Sequence, residues 1–109
     1  MNFYYICSPY SHADPAVRQA RFDATCKVAA RLMREGNVVF SPIAHSHPIE
    51  QHLGEVEAHD FWMWQDLPIL RHAAKVLVLR LDGWEASKGI ALELEAAGHW
   101  KIPVEHIDP

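Results

Sequence analysis

Apolar and polar positions follow two periods along this chain, a two-residue or continuous period in short runs and a helical period between them. Asn2–Cys7 (NFYYIC) is an apolar run closed by the turn-rich Ser8-Pro9-Tyr10-Ser11-His12, which predicts a buried strand. Asp14-Pro15 then opens a helix, because Asp caps well and Pro suits the first helical position. Val17, Ala20, Val28, Ala29, Leu32 and Met33 continue it as an amphipathic stretch to Gly36, with Arg31 and Arg34 suiting the dipole at its C-terminus. Asn37–Ser41 (NVVFS) predicts a second strand, entering a loop with the sequence PIAHSHPIEQHLG. A helix is expected from about Glu55, broken or re-capped near Pro68. Ala74–Leu81 (AKVLVLRL) is apolar almost throughout and predicts a third strand buried on both faces. The next helix spans about Ala86 to Ala97 and stops at Gly98. Ile102–Ile107 is the last strand, placed at an edge by Pro103.

Strands alternating with helices imply a parallel sheet covered on both faces. If the strand order is 2-1-3-4, that order reverses between the first and third strands, and a ligand binds outside the carboxyl ends there. Residues 8–12 and 82–87 should therefore meet. With 109 residues the chain accommodates a single domain over 1–109 with one modest core. Ten Lys+Arg against fourteen Asp+Glu leave a net charge of -4, which argues against nucleic acid or an anionic membrane surface as partner. No run reaches the length of a membrane span, and the first residues have no basic, apolar leader, so a cytoplasmic protein is expected. Cys7 and Cys26 form no disulfide framework, in keeping with that compartment.

Glu93 is the most informative position. At 100° per residue, Ala86, Gly89, Ile90, Ala96 and Ala97 lie within about 60° of it. It is thus the one carboxylate on a small, apolar helix face, where an unpaired ion is costly unless it serves a site. A rotated helix would instead leave it solvated. Tyr5, near the end of the first strand, is placed to offer its hydroxyl to Glu93 and keep it ionised, since Tyr4 points the other way; both could equally be core aromatics. Asp66 is a second candidate acid or an ordinary helix N-cap. A nucleophilic carboxylate with a second acid is the usual equipment for breaking a glycosidic bond. Ser87 opens the last helix, where its hydroxyl and free N–H groups can hold a phosphate or merely cap the helix. Ser8, Ser11 and His12 face the same crevice.

No glycine-rich dinucleotide or P-loop motif is present. His45, His47 and His52 form H-x-H-x4-H, a spacing able to bind metal, although loop histidines are often solvated. Cys7 reads as a small buried residue rather than a thiol nucleophile. Phe61-Trp62-Met63-Trp64 spans about 300° of a helix, more than one core face covers, which predicts a homodimer or higher homo-oligomer.

These residues resemble the nucleoside 2-deoxyribosyltransferase superfamily, which includes the deoxynucleoside 5'-monophosphate N-hydrolases. Tyr5-Ile6-Cys7-Ser8-Pro9-Tyr10 looks like the first strand and loop, Gln65-Asp66-Leu67 like the helix segment whose aspartate acts on the base, and Ser87-Lys88-Gly89-Ile90-Ala91-Leu92-Glu93-Leu94 like the segment bearing the nucleophilic glutamate. The first loop lacks the superfamily's glycines, and Leu94-Glu95-Ala96 stands where Leu-Gly is usual. Ser87, six residues before the glutamate, matches the hydrolases, whereas the transferases carry aspartate there. The resemblance implies a Rossmann/flavodoxin-like three-layer α/β domain with a four- to five-stranded parallel sheet. It implies cleavage of an N-glycosidic bond in a nucleoside or its 5'-monophosphate, with Glu93, Asp66 and Tyr5 catalytic. Substrate would be held by Ser8, Pro9, Tyr10, Ser11, His12, His45, His47, Ser87 and Gly89. Neither metal nor organic cofactor is required. The rival readings are a nucleotide sensor without chemistry, a metal-dependent hydrolase on His45, His47 and His52, and a purely structural oligomer.

Overall fold

The computed structural model describes residues 2–56 and 58–109. Strand β1 (Tyr4–Cys7) leads into helix α1 (Pro15–Arg34), then β2 (Val39–Phe40), α2 (Pro42–Glu50), α3 (Ala58–Leu70), β3 (Lys75–Leu79), a 3-10 turn at Trp84–Ala86, α4 (Lys88–His99) and β4 (Val104–Ile107). The sheet is parallel throughout, in the order β2-β1-β3-β4. Tyr5 pairs with Phe40 on one side and Val76 on the other. This is the expected α/β arrangement with four strands, and the strand order reverses between β1 and β3.

Alternation along β1 divides the core. Ile6 joins Val28, Ala29, Leu32, Leu77 and Leu79 beneath α1. Tyr5 and Cys7 face the other way, with Leu70, Val76, Val78, Ile90 and Ala97 beneath α3 and α4. Val76, Leu77, Val78 and Leu79 are all buried, as a central strand covered on both faces requires. β4 lies at the edge, and Val104, Glu105 and His106 on it are exposed. Among the described residues no helix is long and apolar enough to cross a membrane.

Helix α1 begins as its sequence dictates, with the Asp14 side chain accepting from the Ala16 N–H at 2.8 Å and Pro15 in the first turn. The segment expected as a loop after β2 is instead helix α2. Ser41 Oγ accepts from the Ala44 N–H at 3.1 Å and Pro42 occupies the first turn, the same start signal as Asp14-Pro15. Pro48 sits inside α2 without ending it at once; the helix runs two residues further. Nor does Pro68 break α3, which continues to Leu70, where the chain turns into β3. The start expected near Glu55 is also corrected: Glu55 and Val56 are irregular, while Glu57 falls outside the described residues.

Candidate active site

Glu93 occupies the second turn of α4, on the face that packs against the sheet, and is 5% exposed. The small residues around it are what let a carboxylate approach the sheet so closely. The Tyr5 hydroxyl donates to Glu93 Oε2 at 2.5 Å across the end of β1. Burial and the neighbouring Glu93 carboxylate both push the tyrosine's ionisation far up, so it acts only as a donor. Burial likewise pushes the Cys7 thiol well above its ordinary range, which keeps it un-ionised beside Glu93.

The carboxylate itself does not stay in the ordinary range. Burial raises Glu93 to about 8, with the Asp66 carboxylate adding to the rise, although the hydrogen bonds from Tyr5 and Cys7 pull it down. Tyr5 therefore opposes the neutral form of Glu93 without overcoming desolvation, contrary to the expectation that its hydrogen bond would suffice. Asp66 is 8% exposed in the middle of α3, so the alternative of a helix N-cap does not hold. Burial raises it to about 7. Two buried acids, both raised by burial and one of them also by its neighbour's charge, now face one cavity.

That cavity holds about 320 Å³, within the range of small-ligand sites. Ser8, Tyr10, Ser11, Asp66, Ser87, Gly89 and Glu93 line it together, drawn from the β1–α1 loop, α3 and the start of α4. Tyr5 lies behind Glu93 rather than on the wall. Ser87 accepts from the Ile90 N–H at 3.2 Å and so caps α4. The cap uses a lone pair and leaves the hydroxyl proton available to a ligand, so the capping and binding readings are compatible. Tyr10 is held from behind: its hydroxyl donates to Glu50 at 2.9 Å and lies 2.6 Å from His47 Nδ1.

Four expected binding residues do not reach the wall. Pro9 is fully buried in the turn after β1. His12 accepts from the Asp14 N–H at 3.0 Å and helps shape the start of α1. His45 packs beside Phe40, with ring centroids 5.7 Å apart. His47 stacks on Phe22 at 4.2 Å and supports Tyr10 rather than touching the cavity. For the two histidines the physical reason is α2: Ser46 between them faces the cavity, and in a helix its neighbours point about 100° to either side of it, some 200° apart from each other. The same geometry separates His45 from His47 as metal donors, and among the described residues no three His, Cys, Asp or Glu side chains gather as a metal site.

Other walls come from residues that sequence reasoning passed over. His59, Trp62 and Met63 line the cavity beside Asp66. Their spacing from Asp66 (seven, four and three residues) is one helical stripe, a signal present in the sequence. Ser46 and Ile43 from α2 also contribute, as do Arg21 of α1 and Gly83 of the β3–α4 turn.

The comparisons with known proteins agree with this architecture. The chain is similar in structure to a 2-deoxyribosyltransferase from the psychrotolerant bacterium Bacillus psychrosaccharolyticus, described as a biocatalyst for the synthesis of antiviral and antitumoral nucleosides. The TM-score is 0.64 at 25% identity, over 97% of this chain and 72% of that one. No curated protein sequence matches significantly. The class is thus an α/β domain with the 2-deoxyribosyltransferase fold. Within it, residues 2–108 match the family described as "Domain of unknown function (DUF1937)", and the chain belongs to that family.

Proposed function

We propose that this protein cleaves the N-glycosidic bond of a nucleoside or, preferentially, a nucleoside 5'-monophosphate. The observation that carries the reading is Glu93, a buried carboxylate held by a tyrosine hydroxyl at the wall of a ligand-sized cavity with a second buried acid. The ionised Glu93 attacks the anomeric carbon as the bond to the base nitrogen breaks, leaving a glycosyl ester on the enzyme. Asp66 in its neutral form gives a proton to the departing base. Water then opens the ester to free sugar or sugar phosphate, whereas a second base would complete a transfer. Ser8, Ser11 and Ser87 hold the sugar hydroxyls or the phosphate. Trp64, 70% exposed on α3, supports assembly into a homodimer or higher homo-oligomer.

The test is chromatography for free base after incubation with the common nucleosides, deoxynucleosides and their 5'-monophosphates. Base released by the wild type is expected, faster from monophosphates. No base from any of them would overturn the reading in favour of a sensor.

Tyr5→Phe gives a second, signed result. The lost hydrogen bond favours the charged form of Glu93, so its removal raises the pH at which the nucleophile ionises. Activity at neutral pH should fall about 10-fold, and the limb of kcat/KM that reports Glu93 should move up by about one pH unit. A pH–rate profile of the variant checks both.

A further inference from the structure

Arg21 is a cation held at the rim of the cavity by a fork onto two separate loops. From α1 its Nη1 donates to the Ser11 carbonyl at 3.0 Å and its Nη2 to the Asp82 carbonyl at 3.2 Å. These are the β1–α1 and β3–α4 loops, which frame the crevice where the strand order reverses. Both acceptors are neutral, and among the described residues no carboxylate lies within salt-bridge distance of Arg21. Two of the guanidinium's five N–H donors are thus engaged, and its charge remains uncompensated. The turn is shaped around it: Gly83 has φ +89°, and a Cβ there would stand 2.6 Å from Arg21 Nη2. The positive φ favours glycine there, and a side chain in its place would have to displace the end of Arg21.

Charge is distributed unevenly over the cavity. Glu93 and Asp66 are buried in its wall, whereas Arg21 and the exposed Lys88 lie with Ser11 and Ser87 toward the surface. A dianionic group is repelled from the acids and attracted to the other end. We propose that Arg21 receives the 5'-phosphate of the substrate and sets the preference for nucleoside monophosphate over nucleoside. This inference rests on the N-glycosidase reading for its substrate, but its geometry is a binding site in its own right. Arg21 positions the sugar phosphate through its remaining N–H groups, in the charge-assisted pairing that guanidinium and phosphate form best.

The experiment compares kcat/KM for a nucleoside and its 5'-monophosphate in wild type, Arg21→Met and Arg21→Lys, with calorimetry of ribose 5-phosphate binding to all three. Arg21→Met should lower the monophosphate-to-nucleoside ratio roughly 10- to 100-fold and weaken ribose 5-phosphate binding by a similar factor, with partial recovery in Arg21→Lys. An equal loss on both substrates would assign Arg21 to loop structure alone and overturn the proposal, as would an unchanged ratio. If the wild type releases no base, the glycosidase reading fails by itself. The ribose 5-phosphate titration then decides the phosphate site: weaker binding in Arg21→Met supports it, and equal affinity refutes it.

Discussion

Glu93→Gln should lose about 10⁴-fold or more of the wild-type turnover while becoming the more stable protein at alkaline pH. The first half follows from removing the nucleophile itself: without a carboxylate oxygen no glycosyl ester forms, and knock-outs of covalent nucleophiles fall in this range. The second half follows from linkage. A carboxyl raised to about 8 in the folded state binds its proton more tightly than in the unfolded chain, where it titrates near its ordinary value. Its contribution to stability is therefore fully present below about pH 4 and is lost as pH rises through 8. On ionisation the wild type loses on the order of a few kcal/mol that a neutral glutamine keeps. The amide oxygen can still accept from Tyr5, so the variant leaves no buried donor unsatisfied. With about 4–8 °C per kcal/mol in a small domain, melting curves of the two proteins should coincide near pH 4 and separate by about 10–20 °C at pH 9. Parallel curves across that range would show that Glu93 is not desolvated in solution, and retained turnover would remove it from the chemistry.

The sequence made the strands and the Glu93 face legible for a simple reason. Both depend on periodicity over several residues, and the apolar runs at 4–7 and 75–79 have no competing interpretation. Tyr5 followed from strand parity once β1 was located. α2 was not legible because two signals conflicted. Ser41-Pro42 announces a helix as clearly as Asp14-Pro15 does, but Pro48 and the polar H-x-H pattern argued for a loop, and tertiary packing decided it. That one misreading displaced His45 and His47 from the cavity and hid Ser46 and Ile43. Arg21 was illegible for a different reason: it lies on α1 some sixty residues from the turn it grips. Only the fold brings them together.

The buried pair also explains why a small domain tolerates so costly a site. Tyr5, Cys7 and the apolar residues of α4 hold Glu93 dry, which raises its basicity and with it its strength as a nucleophile once ionised. Because Asp66 lies close enough to add to that rise, protons leave the two acids in steps that belong to the pair rather than to either residue. In the proposed mechanism the reactive form carries one proton, on Asp66, with Glu93 charged. Its population is greatest between the two titrations, so kcat/KM should describe a bell centred between about pH 7 and 8.

Asp66→Asn isolates the acid. Asparagine gives the departing base no proton, so kcat on natural substrates should fall about 10²- to 10⁴-fold. A nucleoside whose base leaves readily without protonation should lose much less, because only the proton transfer has been removed. The bell should become a single rise. Its alkaline limb disappears with the group that had to stay protonated, and what remains is the ionisation of Glu93 alone. Rate profiles with both kinds of substrate separate this from a role in holding the base. An Asp66 that merely binds the base would raise KM for both substrates alike and leave the alkaline limb standing, and that pattern would take the acid's part away from it.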